Sequence, residues 1–148
     1  VVAREKMANA ATMAGRAFAN AFLGVCHSMA HKLGAFHHLP HGVANAILLP
    51  YVMEYNADSQ SRAKYLGIAK AMGVNTDGMS VDEGVKAAID AVRALSLSIG
   101  IPQHLCEIGV KKEDIPALAV AAFNDVCTGG NPRPTSVEDI EKIYNIAF

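Results

Sequence analysis

The chain has 148 residues, 51% of them hydrophobic and 18% charged, with 13 Lys and Arg against 14 Asp and Glu for a net charge of −1. That is enough for one domain with a real core and argues against disorder. With no basic or acidic block, nothing favours nucleic acid or an anionic membrane as partner, and the longest apolar stretch, Val43 to Met53, is broken by Asn45 and Pro50 and too short to span a bilayer.

No run shows period-two alternation, and helical spacing dominates. Arg4 to Leu23 carries Met7, Ala10, Ala14, Phe18, Ala21 and Phe22 at helical intervals. Gly24 allows a break before a short helix from about Val25 to Leu33, and Gly34 to Pro40 reads as a loop. His41 and Gly42 open an apolar helix to about Tyr55, kinked at Pro50, whose lack of a polar face predicts central burial. Ser59 to Met72 reads as a helix ended by Gly73. Ser80 and Glu83 form a capping box before the next helix, with Val81, Val85, Ile89, Val92, Leu95 and Ile99 as its expected buried stripe and Gly100 as its end. A short helix follows Pro102 and ends at Gly109. Glu113 to Val126 reads as another, with Pro116 in its first turn. Gly129 to Pro134 is irregular, and Thr135 with Glu138 reads as a second capping box before a last helix ending near Phe148. The expected fold is all-α: one helical bundle over residues 1–148.

Five of the six histidines, His27, His31, His37, His38 and His41, fall within fifteen residues. Neutral imidazole is the commonest metal ligand and the side chain best placed to move protons near neutral pH. His27 and His31, four apart, share one helix face, and the intervening loop lets His41 fold back onto it. His37 and His38 are adjacent and point apart, so both do not serve one site. A catalytic metal takes at least three protein ligands, yet no Asp or Glu lies between Lys6 and Glu54. Either Glu54 or Asp125 returns in space, or the missing ligands precede Val1. Cys26, Cys106 and Cys127 are odd in number and form no CxxC pair, which suits reduced thiols in a cytoplasmic protein. From the residues alone, Phe18 and Leu23 fit core packing as well as a pocket. Cys127 reads as a buried inert thiol, Cys26 as packing and His104 as a surface residue.

The spacing His27-x3-His31-x9-His41-Gly42, with Ala30, Gly34 and Ala35 between, resembles the C-terminal signature of the iron-containing (group III) alcohol dehydrogenases. The likeness extends through Phe18-Ala-Asn-Ala-Phe22 and Asp125-Val-Cys-Thr-Gly-Gly-Asn-Pro-Arg133. It is strongest toward the subgroups of lactaldehyde reductases, 1,3-propanediol dehydrogenases and the alcohol-dehydrogenase half of bifunctional aldehyde-alcohol dehydrogenases. The resemblance implies the helical C-terminal domain of a dehydroquinate-synthase-like two-domain enzyme, whose N-terminal α/β domain binds NAD(P). It implies His27 and His41 as the last two ligands of a divalent metal, Fe2+ by family expectation, although imidazole and carboxylate also suit Zn2+. His31 would stand beside the metal, near nicotinamide and substrate, and pass protons. Phe18, Leu23 and Cys127 would line the substrate pocket.

By the same resemblance, the first Asp and His ligands would precede Val1. No Gly-rich dinucleotide loop is expected in this chain either, because Thr128-Gly-Gly-Asn131 lacks the strand-to-helix setting such a loop needs. The expected activity is interconversion of small alcohols and aldehydes by hydride transfer in a homo-oligomeric parent enzyme, with this chain inactive by itself. A non-enzymatic helical metal-binding or assembly module is the alternative, as is a glycerol-dehydrogenase-like relative, against which the unbroken signature argues.

Overall fold

The computed structural model describes residues 1–148. Seven α-helices follow in order: α1 (Val2–Ala21), α2 (Val25–His37), α3 (His41–Asn56), α4 (Lys64–Ala71), α5 (Val81–Ser98), α6 (Ile115–Phe123) and α7 (Val137–Ala147). Short 3-10 turns at Leu105–Ile108, Lys112–Asp114 and Thr128–Gly130 complete it, and there is no strand. No helix is long and apolar enough to cross a membrane.

The main core lies where α2, α3, α6 and α7 pack together. Met29 and Leu33 of α2, Ile47 and Leu48 of α3, Leu118 of α6 and Ile140 and Tyr144 of α7 are sealed from solvent. Pro50 is buried inside α3, and the absence of a polar face on this helix is matched by its place between α2, α5 and α7. Tyr144, the largest fully buried side chain, donates its hydroxyl to the Met29 carbonyl at 2.8 Å, tying α7 to the middle of α2. A second, smaller core joins α4 and α5 through Tyr65, Ala69, Val85, Ala88 and Ile89.

Several local expectations are corrected. α2 does not stop at Leu33. It runs through Gly34 to His37 and ends at His38 in the left-handed region (φ 55°), whose amide donates to the Gly34 carbonyl at 3.0 Å. A single Gly inside a helix costs only about 1 kcal/mol, less than the packing of Leu33 and its neighbours returns. The segment Ser59 to Ala63 forms turns, so the helix starts at Lys64. The α5 stripe holds only in its middle. Val85 and Ile89 are buried and Val92 is half-buried, whereas Val81 at the start is exposed, and Leu95 and Ile99 are exposed because α5 outruns its partners α3 and α4. α6 stops at Phe123, short of Val126. The Ser80–Glu83 capping box forms as expected. The second box belongs to Ser136 and Asp139, one residue later than Thr135 and Glu138.

α1 buries none of its residues, and Met7 and Met13 are about 70% exposed. It ends at Phe22 with φ 65° and ψ 168°, a backbone conformation costly for any residue but glycine.

Candidate functional site

His27 sits in the first turn of α2, His31 one turn on, and His41 is the first residue of α3. The left-handed turn at His38 and the proline N-cap Pro40 (φ −58°) return the chain, and the α2–α3 packing closes the approach. The imidazole centroids of His27 and His41 are 5.4 Å apart with planes at 50°. Those of His31 and His41 are 5.4 Å apart and nearly parallel at 19°. His27 and His31 meet edge-on at 6.2 Å. His37 and His38 stand apart from this group: His37 lies 3.5 Å from Asp114, and His38 caps α2. His104 is exposed and caps the 3-10 turn at Leu105.

The start of α2 is positioned by a residue the sequence did not single out. Gly24, its N-cap, has no side chain to satisfy the first amides. The Asn131 Oδ1 accepts from the Val25 amide at 3.3 Å instead, a cap supplied from 106 residues away. A Cβ on Gly24 would sit 2.8 Å from that oxygen, and one on Gly130 would run into the Leu23 carbonyl oxygen. Glycine at both positions is what lets the loop press against the α1–α2 junction. Asn131 also pairs both ways with the Asn56 amide, at 3.1 and 2.8 Å, so one side chain ties the ends of α2 and α3 to the loop before α7.

Of the two carboxylates open as returning groups, Glu54 pairs with Arg93 at 3.0 Å on the outside of α3. Asp125 returns, but to His31: its Oδ2 lies 3.1 Å from the His31 Nδ1 and accepts from the Lys32 Nζ at 2.8 Å. Its Oδ1 accepts from the Cys127 amide at 3.0 Å in an Asx-type turn. Burial acts to raise the Asp125 carboxyl, but the bonds from Lys32, the Cys127 amide and His31 outweigh it and hold the group far below the usual carboxylate range. Burial, followed by the proximity of His41 and His31, lowers the His27 imidazole, favouring the neutral form that binds metals. Asn45 holds His41 by donating from its amide to a ring nitrogen at 3.1 Å.

Phe18 lies 6.1 Å from the His27 ring centroid. Cys127 lies with His31 and Asp125 in a group whose donor atoms are within 4.8 Å of one another. Burial is the main cause of the raised Cys127 thiol, with the adjoining Asp125 adding to it, so this sulfur stays protonated and inert. Leu23 lines a separate groove of about 330 Å³ with Cys26, Val52, Met53 and Asn131. Cys26 packs beside Asn45, and burial pushes its thiol up to about 12.

The donor set is compatible with a divalent metal. Two imidazoles each about 2.1 Å from one ion at a tetrahedral angle bring their ring centres to roughly 5 Å, close to the 5.4 Å between His27 and His41. The two rings are carried by separate helices, leaving the remaining coordination positions to groups from elsewhere.

Comparison with known proteins gives the family. The profile of the Fe-containing alcohol dehydrogenase family, C-terminal, matches residues 1–148. Lactaldehyde reductase of Escherichia coli is 57% identical over 146 residues, covering 99% of this chain and 38% of its own length. The 1,3-propanediol dehydrogenase of Citrobacter freundii is 48% identical over 146 residues, again 99% and 38%. A crystal structure of a 1,3-propanediol oxidoreductase superposes with a TM-score of 0.96 at 46% identity, covering 99% of this chain and 38% of that one. The chain thus spans little more than a third of these relatives. An all-helical architecture, an unbroken histidine spacing and a family match over every residue lead to one conclusion: the chain belongs to the Fe-containing alcohol dehydrogenase family, as its C-terminal helical domain.

Proposed function

We propose that this chain is the metal-holding portion of an NAD(P)-dependent enzyme that interconverts small alcohols and aldehydes, and that it turns nothing over without a nucleotide-binding domain. The observation that carries this reading is the convergence of His27, His31 and His41 from two helices at 5.4 to 6.2 Å. His27 and His41 are the metal ligands, with iron favoured by family and zinc suited to the same donors. When bound, the metal supplies Lewis-acid polarisation of the substrate oxygen and NAD(P) supplies the hydride acceptor or donor.

The chain's own residues do the rest. Oxidation of an alcohol releases a hydride and a proton. His31, bonded to Asp125 through Nδ1, takes the proton on Nε2, and returns it when an aldehyde is reduced. Phe18 places an apolar ring beside His27 and limits water there. Cys127 stands on the Asp125 side of the site.

The alternative of a non-enzymatic metal module draws on the His31, Asp125 and Cys127 donors. The Lys32 ammonium on Asp125 competes with any cation there. A chimera joining the upstream part of E. coli lactaldehyde reductase to this chain tests both readings. The expected result is bound metal and reduction of lactaldehyde with NADH or NADPH. His27→Ala and His41→Ala should lose metal, and His31→Ala should keep metal while turnover falls about 10²- to 10⁴-fold. Retention of both metal and activity after replacing His27 and His41 would overturn the assignment. Loss of metal with His31→Ala alone would favour the module.

A further inference from the structure

We propose that Asp125 is a positioning residue whose carboxylate, anchored by Lys32 and the Cys127 amide, holds the His31 imidazole with its proton on Nδ1, so that Nε2 is the nitrogen left to exchange a proton with a bound alcohol or aldehyde. This rests on the proton-transfer role given to His31 above.

The geometry carries it in three steps. An ionised carboxylate only accepts hydrogen bonds, so a ring nitrogen 3.1 Å from the Asp125 Oδ2 must be the one that bears hydrogen. A neutral imidazole has a single N–H, so its lone pair is then on Nε2. The Lys32 ammonium 2.8 Å from the same oxygen keeps the carboxylate charged.

The anchor is stiff. Both carboxylate oxygens are engaged, Oδ1 by the Cys127 amide at 3.0 Å, and the Asp125 side chain is only 9% exposed against 37% for His31. The turn carrying it is held to the fully buried face of α2, where the Thr128 hydroxyl lies 2.7 Å from the Ser28 hydroxyl. It is also held to α6, where the Asp125 amide donates to the Ala122 carbonyl at 3.0 Å. A catalytic group is only as well aimed as the shell that supports it, and here the support comes from a segment 94 residues further along the chain.

The test is nitrogen–carbon correlation NMR of the histidine rings in this chain, which reads the tautomer directly and needs neither metal nor turnover. His31 should be the Nδ1–H tautomer in the wild type and shift to Nε2–H in Asp125→Ala. An Nε2–H wild type, or Nδ1–H persisting in a folded Asp125→Ala, overturns the proposal. The wild-type spectrum decides even where the variant does not fold. In the chimera described above, Asp125→Ala should lower kcat about 10- to 100-fold while metal content and KM hold, and Asp125→Glu should recover part of the loss. Unchanged kcat in a folded Asp125→Ala would also overturn it. If His31→Ala leaves turnover intact, it is the proton-transfer role that fails, and the tautomer result stands by itself.

Discussion

Asn131 is the residue whose removal most directly tests how the site is held. Its side chain accepts from the Val25 amide, pairs reciprocally with the Asn56 amide, and donates to the Arg133 carbonyl at 2.8 Å. In Asn131→Ala the Arg133 carbonyl keeps a partner, since the Thr135 hydroxyl also donates to it at 2.9 Å. Three groups lose theirs: the Val25 amide and both ends of the Asn56 amide. At roughly 1 kcal/mol each, reduced by partial access to water, the loss is about 2–3 kcal/mol. For a chain of this size that lowers Tm by about 4–12 °C. Asn131→Asp is nearly isosteric and preserves the acceptor toward Val25. It replaces the donor with an oxygen facing the Asn56 Oδ1 and the Arg133 carbonyl, both now 2.8 Å from the Asn131 Nδ2. It should be at least as damaging as alanine. Urea unfolding followed by circular dichroism gives the midpoints at constant m-value. Wild-type stability in Asn131→Asp, or a change below about 0.5 kcal/mol in Asn131→Ala, would refute the idea that donor chemistry rather than size fixes this junction.

Gly130→Ala drives a Cβ into the Leu23 carbonyl and to 3.2 Å from the Phe22 Cβ. It should cost about 1–3 kcal/mol by urea midpoint, whereas Gly129→Ala, with open space around it, should stay within about 0.5 kcal/mol. Tyr144→Phe removes the bond to the Met29 carbonyl at a cost of about 1 kcal/mol, while Tyr144→Ala empties a fully buried position and should cost about 3–5 kcal/mol in the same assay. The Ser136 amide, followed by the Ser136 and Tyr55 hydroxyls, lowers the Asp139 carboxyl despite its partial burial. A carboxyl lower in the folded than in the unfolded state contributes fully above the unfolded value of about 3.9, and the contribution disappears as pH falls through the folded value. Stability should therefore decline below about pH 4, and Asp139→Asn, measured by urea midpoint against pH, should flatten that decline.

Local rules read from the sequence hold where short-range chemistry decides. The Ser80–Glu83 box, the Gly109 stop and the apolar α3 follow from residues within one or two turns of each other. The errors arise where tertiary packing overrides a local signal. Gly34 looked like a break but lies inside α2, because Leu33 on one side and the stop at His38 and Pro40 on the other make continuation favourable. Leu95 and Ile99 keep helical spacing past the point where α5 has a neighbour, which periodicity alone does not reveal. In the site, the spacing of His27, His31 and His41 was sufficient to expect their convergence. The destination of Asp125 was not, since it depends on a turn after α6 being pinned against Ser28. Asn131 left no local trace beyond the glycines around it, because its cap acts on a helix whose own N-cap has no side chain.

α1 has a different consequence. Its twenty residues have no buried member, so their helicity rests on backbone propensity, and an unsupported helix of that length is only marginal in water. Hydrogen exchange should divide the chain into two tiers. Amides of α2, α6 and α7 would exchange only through opening of the whole core, and those of α1 at rates close to a free peptide. Whatever covers the Met7 and Phe18 face would first register there, as slowed exchange in a helix that by itself has almost no protection to lose.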